Sequence, residues 1–348
     1  MDHKKALIGM SGGVDSSVAA YLMLRDGYHC IGGTMLLHDA AAGTGDAAAV
    51  AARLGMPFHV FDHCGKFRET VMEDFVRCYE RGLTPNPCIQ CNRHLKFGAF
   101  LENALALGCQ YVVTGHYARI QQDPTTGRYL LCKAADLPKD QSYFLYRLTQ
   151  QQLAHTQFPL GELTKDEVRK IATEQGFINA QKRDSQDICF IPDGDYLNFL
   201  VRYTRKDYPD GDFLDVNGKV VGKHHGAVGY TIGQRKGLGL AMGTPVYVCG
   251  KDMTTNTVTV GDNASLFRTT LLANDWNLIA FDHLSAPIRC RAKARSRMTE
   301  QPATVYPEEN GFCRLIFDEP QRALTPGQAV VLYDGDTVLG GGTITEVL

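Results

Sequence analysis

A segment rich in serine and glycine near the start of the chain has the chemistry of a phosphate-binding loop. Residues 11–16 read Ser-Gly-Gly-Val-Asp-Ser and lie between a predicted strand and a predicted helix. Glycines let the backbone approach a phosphate, serine hydroxyls donate to its oxygens, and a helix N-terminus favours an anion. Asp15 fits beside a polyanion only if it caps the helix or helps to hold a cation such as Mg²⁺. A turn that merely caps a helix is the simpler alternative, and no Walker motif occurs in the chain.

Three cysteines stand in two segments whose composition could support sulfur chemistry. Cys88 and Cys91 follow two prolines within residues 84–96, where we expect a rigid loop, and Cys189 lies in a strand-like run over residues 183–191. Polar and basic neighbours of Cys91 predict a lowered thiol pKa and a nucleophilic thiolate. These neighbours are Asn92, Arg93, His94 and Lys96. A zinc ribbon would need a second Cys-x-x-Cys pair, which the chain lacks, and the remaining cysteines fit buried free thiols.

The serine-glycine segment resembles the PP-loop of the N-type ATP pyrophosphatases, which adenylate an oxygen atom and release pyrophosphate. GMP synthetase, NAD synthetase, argininosuccinate synthetase and tRNA-modifying enzymes belong to this group. Further motifs, in the same order, look like those of the tRNA-specific 2-thiouridylases. They occupy residues 9–16, 84–87, 91–92, 115–117, 139–144, 187–190 and 230–237. The resemblance runs from residue 6 to residue 328, which is essentially the whole chain.

The resemblance to the 2-thiouridylases implies a reaction and a set of site residues. ATP would adenylate the C2 oxygen of the wobble uridine in tRNAs for lysine, glutamate and glutamine, and sulfur would then replace AMP. Cys189 would carry this sulfur as a persulfide, and Cys91 would be the nucleophilic thiol that helps to release it through a transient disulfide. The implied ATP contacts are Gly9, Met10, Ser11, Gly12, Gly13, Val14, Asp15, Ser16, Met35 and Gly115. The implied tRNA contacts, with the target base at the first three, are Asn86, Pro87, Cys88, His116, Lys139, Asp140, Gln141, Arg295, Ser296 and Gln328.

Cys88 departs from the family pattern, because some members carry Asp at the matching position. The chain therefore has three thiols, Cys88, Cys91 and Cys189, that could hold a [4Fe–4S] cluster with one open iron for sulfide. The sequence is compatible both with sulfur transfer through a Cys91–Cys189 disulfide and with sulfur transfer through a cluster. The sequence also leaves undetermined which protein supplies the sulfur, and this donor could be a cysteine desulfurase or a sulfur-relay protein.

A run of alternating basic residues supplies a candidate tRNA surface. Within residues 288–297, a strand would place every second side chain on one face, about 6–7 Å apart and near the spacing of phosphates. The five cations are Arg289, Arg291, Lys293, Arg295 and Arg297. A solvated strand face is the alternative. The run favours tRNA over the rival interpretation of a PP-loop enzyme that adenylates a small molecule, and a non-catalytic RNA-binding protein would leave Cys91 and Cys189 unexplained.

The pattern of apolar residues predicts an α/β protein with three domains. In residues 1–203, short apolar runs alternate with amphipathic helices, which is typical of a parallel sheet, and the resemblance makes this a Rossmann-like adenine-nucleotide-hydrolase domain. Two strand-like runs within residues 118–134 predict a hairpin inserted beside that sheet. Residues 204–262 and 263–348 lack helical periodicity, so we expect a small central β-rich domain and a C-terminal β-barrel that contacts tRNA.

Composition narrows the class of protein further. Of the 348 residues, 44% are hydrophobic, yet no run approaches the length of a membrane span. The start of the chain lacks the pattern of a secretory signal peptide, and eleven scattered cysteines fit a reducing cytoplasm better than a disulfide framework. Because the formal net charge is −2, a polyanion such as tRNA must be held by a local basic patch.

Overall fold

The computed structural model describes residues 4–38, 44–182 and 188–348. Its strands are β1 (Lys5–Gly9), β2 (His29–Leu36), β3 (Phe58–Asp62), β4 (Tyr111–Val113), β5 (Arg119–Gln122), β6 (Tyr129–Cys132), β7 (Thr156–Gln157), β8 (Gly211–Leu214), β9 (Val220–His224), β10 (Tyr247–Asp252), β11 (Thr257–Gly261), β12 (Phe267–Leu278), β13 (Ile288–Lys293), β14 (Gln301–Pro307), β15 (Cys313–Arg322), β16 (Ala329–Asp334) and β17 (Thr337–Val347).

Ten α-helices occur in these ranges: α1 (Val14–Arg25), α2 (Thr44–Arg53), α3 (Cys64–Phe67), α4 (Glu73–Glu80), α5 (Pro87–Cys91), α6 (Phe100–Ala106), α7 (Ser142–Leu145), α8 (Gln150–Ala154), α9 (Lys165–Glu174) and α10 (Tyr196–Thr204). Two π-helical segments, Arg68–Met72 and Asn92–Ala99, join α3 to α4 and α5 to α6. Within the described residues, no helix has both the length and the apolar content needed to cross a bilayer.

The N-terminal part of the chain is built on a five-stranded parallel sheet with the order β3-β2-β1-β4-β7. Side chains of β1 point alternately to its two faces, so Ala6 and Ile8 enter one core and Leu7 enters another. Helices α1, α2 and α9 cover the first face, whereas α6, α7 and α8 cover the second. The predicted α/β domain is confirmed, since burial on both faces makes such strands short, continuous apolar runs.

The order of the strands places the phosphate-binding loop at the middle of the sheet. From β1 the chain goes to β2 on one side, and it later returns to β4 on the other side. The change of direction lies between the carboxyl ends of β1 and β4, which is where open parallel sheets bind ligands. The loop follows β1 and leads directly into α1, so it occupies this position.

The C-terminal strands form two further sheets. Strands β8 to β11 form a four-stranded sheet with the order β10-β11-β8-β9. Six strands, in the order β12-β15-β14-β13-β16-β17, close into an antiparallel barrel because β12 also pairs with β17. The predicted central β-rich region and C-terminal barrel are therefore confirmed, whereas the domain boundaries at residues 203 and 262 stay predictions.

The hairpin of β5 and β6 extends the barrel sheet. Leu131 and Cys132 of β6 pair with Val338 and Thr337 of β17. The predicted hairpin is confirmed, but its pairing with β17 was not predicted, because pairing with a strand some two hundred residues later leaves no local signal in the sequence. Leu131 and Val338 share a core with Leu7 of the parallel sheet, so the hairpin fixes the barrel to the N-terminal domain.

Candidate active site

The loop after β1 folds tightly onto the first turn of α1. The Ser16 hydroxyl donates to the Gly13 carbonyl at 3.0 Å, and the Ser11 N–H donates to the Ser16 hydroxyl at 3.2 Å. The first N–H groups of a helix have no partner within it, so those of Val14, Asp15 and Ser16 point out of the start of α1. Together with the positive end of the helix dipole, they can bind the phosphate oxygens of a nucleotide.

Asp15 forms an ion pair that the sequence does not predict. The Lys165 ammonium lies 2.7 and 2.8 Å from the two carboxylate oxygens of Asp15, and the Tyr117 hydroxyl donates to the same carboxylate at 2.8 Å. Asp15 does not cap α1, because Gly13 is the N-cap residue. The cation beside Asp15 is a lysine, so its carboxylate as placed does not fit a Mg²⁺ site. The capping box of α9 marks Lys165 as a first-turn residue, but only the fold brings it to Asp15.

Two residues that follow α9 support the loop and were missed by the sequence analysis. Asn179 donates through Nδ2 to the Gly12 carbonyl at 3.2 Å and to the Ser17 hydroxyl at 2.9 Å. Lys182 donates to the same Gly12 carbonyl at 3.3 Å. Asn179 stands 167 residues after Gly12, and no local signal relates the two segments. These bonds hold the loop in place before any nucleotide binds.

The other predicted ATP contacts lie at the carboxyl ends of neighbouring strands. Met10 follows β1, and its N–H donates to the Gly33 carbonyl of β2 at 2.8 Å. Met35 lies near the end of β2. Gly115 follows β4, and a Cβ atom there would lie 2.7 Å from the carbonyl carbon of Asp15, so only glycine permits this close approach. The structure thus brings the residues predicted to contact ATP to one edge of the sheet.

Cys88 and Cys91 lie on the short helix α5. The prolines predict a rigid loop, and that prediction is wrong because Pro87 is the first residue of α5. Proline suits this position, since its missing N–H would have no partner there. Residues three apart lie on the same side of a helix, so both thiols face one side, with Cys88 exposed and Cys91 buried.

Burial controls the ionisation of the Cys91 thiol. Desolvation raises the pKa of Cys91 to about 12, Lys96 lowers it, and the thiols of Cys189 and Cys88 raise it further. The prediction of a lowered pKa is wrong, because Lys96 is the one flanking cation that acts on this thiol and its effect is smaller than that of burial. Cys91 therefore carries its proton at neutral pH.

Cys189 reaches the same site from a turn. The thiol is exposed, and the turn is closed by the Ile191 N–H, which donates to the Ile188 carbonyl at 2.8 Å. The predicted strand is therefore wrong at Cys189, and residues 183–187 of the predicted segment lie outside the described residues. Desolvation and then the Cys88 thiol raise the pKa of Cys189, while Lys96 lowers it. The three thiols and one lysine thus interact electrostatically at one site.

A neutral histidine contacts Lys96. Nε2 of His116 lies 3.4 Å from the Lys96 ammonium, and Nδ1 lies 2.7 Å from the Thr114 hydroxyl. Burial and then the Lys96 charge lower the pKa of His116 well below its ordinary value, so the ring is neutral. A neutral ring nitrogen can accept a hydrogen bond from the ammonium. His116 therefore helps to hold the lysine charge beside the thiols.

The grouped thiols do not form a metal site as they are placed. Among residues 4–38, 44–182 and 188–348, no three His, Cys, Asp or Glu side chains converge in a way that could hold a metal ion. Cys88, Cys91 and Cys189 in this arrangement therefore do not fit a [4Fe–4S] cluster.

Known proteins resemble this chain over its whole length. Models of the tRNA methyl transferase HUP domain, the tRNA methyl transferase PRC-barrel domain and the aminomethyltransferase beta-barrel domain match residues 4–193, 197–262 and 268–344. The tRNA-specific 2-thiouridylase MnmA of Clostridioides difficile is 47% identical over 358 residues, which cover 99% of both chains. The chain belongs to the tRNA-specific 2-thiouridylase family.

Further relatives agree with this membership. The tRNA-specific 2-thiouridylase MnmA of Symbiobacterium thermophilum is 50% identical over 362 residues, which cover 99% of this chain and 93% of that protein. A solved 4-thiouridine synthetase–RNA complex with bound ATP has a TM-score of 0.39 at 18% identity, over 54% of this chain and 45% of that chain. The latter likeness is too distant to carry an argument about function.

In this member of the 2-thiouridylase family, two residues that the resemblance assigns to tRNA bind other parts of the protein. The Asp140 carboxylate accepts from the Ser142 hydroxyl at 2.8 Å and from the Ala134 N–H at 3.1 Å. The Gln141 side-chain oxygen accepts from the Tyr117 N–H at 3.0 Å. Since the Tyr117 hydroxyl also binds the phosphate loop, this segment links the expected tRNA contacts to the nucleotide site.

The C-terminal residues of the predicted tRNA set lie at contacts between domains. Arg295 donates to the Ile232 carbonyl at 3.1 Å and to the Thr325 hydroxyl at 2.6 Å. Gln328 donates to the Thr84 carbonyl at 2.9 Å. Arg295 thus joins the barrel to the central region, and Gln328 joins the barrel to the segment before the cysteine helix.

The strand carries fewer residues of the basic run than predicted, and two of its arginines lie beside carboxylates. Strand β13 ends at Lys293, so the last two arginines of the run do not continue its face. Arg289 pairs with Asp318, and Arg291 donates to the Glu300 carbonyl at 2.6 Å and lies 3.8 Å from the Glu300 carboxylate. Asp318 therefore offsets Arg289, whereas Arg291 shares the Glu300 carboxylate with Lys133, whose ammonium lies 2.8 Å from it.

Proposed function

We propose that this chain is a tRNA-uridine 2-sulfurtransferase, which uses ATP to thiolate the wobble uridine of tRNA. The observation that carries the proposal is the grouping of Cys88, Cys91 and Cys189 around Lys96. A phosphate-binding loop lies in the same domain, and the named relatives match the chain from end to end. A PP-loop enzyme that adenylates a small molecule would need the loop but not the thiols.

The nucleotide loop would perform the ATP step. The N–H groups at the start of α1 and the hydroxyls of Ser11 and Ser16 would bind the phosphates. The C2 oxygen of uridine attacks the α-phosphorus, the bond to pyrophosphate breaks, and an adenylated uridine forms. Lys165 neutralises Asp15, so this carboxylate does not repel the polyphosphate.

The cysteines would perform the sulfur step. The terminal sulfur of a Cys189 persulfide attacks C2, and AMP leaves as the C2–O bond breaks. The Cys91 sulfur then attacks the Sγ atom of Cys189, a Cys91–Cys189 disulfide forms, and 2-thiouridine leaves with the proton from Cys91. The transferred sulfur gains the electrons that the two cysteines lose. A cellular thiol reductant must therefore reopen the disulfide before the next turnover.

The ionisation of Cys91 suits this order of events. A protonated thiol is a poor nucleophile, so the buried Cys91 does not attack the persulfide before the uridine is activated. Lys96 lowers the pKa of Cys91 and thus favours the thiolate when the attack takes place. Cys91 is the nucleophile in this scheme, and Lys96 is the cation that supports it.

The proposal requires tRNA and a protein that loads sulfur onto Cys189. A cysteine desulfurase or a sulfur-relay protein would serve as the donor, and the exposed thiol of Cys189 is accessible to such a partner. We place the reaction in the cytoplasm, because all eleven cysteines are free and a reducing compartment keeps them so.

A [4Fe–4S] cluster on the three thiols is the alternative route for the sulfur. We favour the persulfide, since the cysteines as placed do not fit a metal site within the described part of the chain. Anaerobic purification followed by iron and sulfide assays separates the routes. Colourless, iron-free and active protein would eliminate the cluster, whereas activity that follows the iron content would eliminate the persulfide.

Mass spectrometry of tRNA nucleosides tests the proposed function in cells. Cells depleted of this protein should lose 2-thiouridine at the wobble position, and the wild-type chain should restore it. Cys91→Ser and Cys189→Ser should not restore it, although Cys249→Ser, a control in strand β10 of the central sheet, should. Normal 2-thiouridine after depletion would contradict the proposal.

A further inference from the structure

Both backbone groups of Thr84 bind the C-terminal barrel. Thr84 lies between α4 and α5, the helix that carries Cys88 and Cys91. Its N–H donates to the Pro326 carbonyl at 2.9 Å, and its carbonyl accepts from Nε2 of Gln328 at 2.9 Å. These hydrogen bonds join the segment before the cysteine helix to a part of the barrel that stands 244 residues later in the chain.

The barrel turn, residues 325–328, is shaped for this contact. Gly327 has a φ angle of +90°, and a Cβ atom at this position would lie 2.6 Å from the Thr84 nitrogen. Only glycine therefore allows the turn to approach so closely. The Gly327 N–H donates to the Ile344 carbonyl at 2.8 Å, and the Ile344 N–H donates to the Gln328 carbonyl at 2.8 Å. The barrel turn is thus fixed to β17.

The connection from Thr84 to the cysteine helix is short and stiff. Two residues, Pro85 and Asn86, separate Thr84 from Pro87, which begins α5. Each proline ring fixes its own φ angle, and the Ile89 N–H donates to the Asn86 carbonyl at 3.2 Å. A displacement of Thr84 would therefore be passed on to this five-residue helix, which carries both thiols.

A second series of contacts joins the same helix to the barrel. The Tyr143 hydroxyl of α7 donates to the Ala329 carbonyl of β16 at 2.9 Å. Asn92, next to Cys91, donates to the Phe144 carbonyl of α7 at 3.0 Å. The barrel therefore contacts the cysteine helix directly before its start, and through α7 just after Cys91.

We infer that Gln328 is a positioning residue for Cys91, and that the barrel sets the place of the cysteine helix through Thr84. The resemblance implied a tRNA contact for Gln328, yet its side-chain amide already donates to the Thr84 carbonyl. The expected effect on turnover rests on the proposed function of Cys91. The contact between the barrel turn and the helix does not depend on that function.

Kinetics of the full-length protein separate a positioning role from a tRNA contact. Gln328→Ala removes the donor to Thr84, and it should lower kcat for thiolation about tenfold, because small displacements of a catalytic group are costly. The Kd for tRNA should stay within about twofold of the wild-type value, because the inferred role of Gln328 acts on the position of Cys91. Gln328→Glu, which places a carboxylate against the Thr84 carbonyl, should lower kcat at least as much.

The matched control is Gln321→Ala, at a glutamine of β15 whose amide donates locally to the Glu319 carbonyl. It should leave both kcat and Kd unchanged. A raised Kd with unchanged kcat at saturating tRNA would make Gln328 a tRNA contact and overturn the inference. Wild-type values of both constants in Gln328→Ala would overturn it as well.

Alkylation of the free cysteines tests the same contact without catalysis. Iodoacetamide treatment of tRNA-free protein, followed by peptide mass spectrometry, gives a rate for each thiol. Gln328→Ala should raise the rate at Cys91 about fivefold, as expected for the loss of one hydrogen bond that holds its helix. The buried thiols of Cys109, Cys290 and Cys313 serve as internal references and should keep their rates.

Two other outcomes of the alkylation experiment would overturn the inference, and a third would bear on the proposed function alone. An unchanged rate at Cys91 would overturn the positioning role, even if thiolation proved not to be the function of the chain. Faster alkylation at all the reference cysteines would assign the effect to a general loss of stability and would also overturn it. Absence of thiolation in the wild-type protein, with a selective change at Cys91, would reject the proposed function alone.

Discussion

The nucleotide loop and the cysteine site differ in how many parts of the chain they need. The loop is held by β2, by the segment after β4 and by residues in and after α9, all of which belong to the N-terminal part of the chain. The cysteine site combines a helix, a turn that carries Cys189 and, through Thr84, the barrel. In the proposed reaction, the ATP step would therefore use one part of the chain, whereas the sulfur step would depend on the assembly of several.

The two sites also differ in their electrostatics. At the nucleotide loop, the charge of Asp15 is neutralised by Lys165 before any ligand binds. At the cysteine site, Lys96 acts on three thiols whose pKa values are all raised by desolvation. In the proposed reaction, the first site would bind a polyanion, and the second would keep the Cys91 thiol protonated until it attacks.

Removal of the Cys189 thiol should have the largest effect, and it should stop the sulfur step without affecting the ATP step. Cys189→Ser should lower the formation of 2-thiouridine at least about a thousandfold, because no other group takes its covalent role. Pyrophosphate release with tRNA and ATP should stay within about twofold, since the loop is untouched. Cys249→Ser is the control for loss of a thiol. Loss of both activities in Cys189→Ser would show that the two sites are not separable.

Removal of the lysine beside the loop should produce the opposite pattern. Lys165→Met leaves Asp15 without its cation, and repulsion of the phosphates over a few ångströms should slow pyrophosphate release about a hundredfold. The rate of Cys91 alkylation should not change. Lys170→Met, at an exposed lysine of the same helix, should behave like the wild type in the same pyrophosphate-release assay. A normal rate in Lys165→Met would remove this lysine from the ATP step.

The pH dependence of the sulfur step should show how strongly the Lys96 charge acts on the Cys91 thiol. Since the pKa of Cys91 is about 12, its thiolate fraction rises about tenfold per pH unit between pH 7 and pH 9. Lys96 lowers this pKa, so Lys96→Met should raise it, shift the profile of single-turnover thiolation to higher pH and slow the step about tenfold at neutral pH. Lys96→Arg keeps the charge and should restore most of the rate. An identical profile in Lys96→Met would refute the role of this cation.

The smallest effect is expected on the barrel surface. Arg291→Ala removes an exposed cation that the Glu300 carboxylate partly offsets, so the Kd for tRNA should change less than about twofold. The dependence of Kd on salt should keep its slope, whereas loss of a phosphate contact would lower the slope by about one. Filter binding at several salt concentrations measures both quantities. A clearly weaker dependence of Kd on salt in Arg291→Ala would show that the basic run contacts tRNA.

The same comparison explains what the sequence could predict. The strand, loop and helix around residues 11–16 are adjacent in the chain, and the helix predicted after the loop is α1. The partners of this unit, Lys165 and Asn179, were missed because they meet it only through packing of α9 on α1.

The cysteine site was harder to predict because burial decides its properties. The identities of Cys91 and Cys189 indicated sulfur chemistry, but the flanking charges suggested a thiolate that desolvation prevents. The prolines suggested a loop, although one of them occupies the first position of a helix. The contact of Gln328 with Thr84 spans most of the chain and has no signature in either segment.

Transfer of labelled sulfur in a single turnover tests the central claim most directly. Protein whose Cys189 persulfide carries isotope-labelled sulfur is mixed with ATP and unmodified tRNA, with no free sulfide present. The labelled sulfur should appear in 2-thiouridine in proportion to the persulfide lost, and a Cys91–Cys189 disulfide should remain in the protein. Label that stays on Cys189 while unlabelled 2-thiouridine forms, or equal activity of Cys189→Ser with free sulfide, would contradict the account.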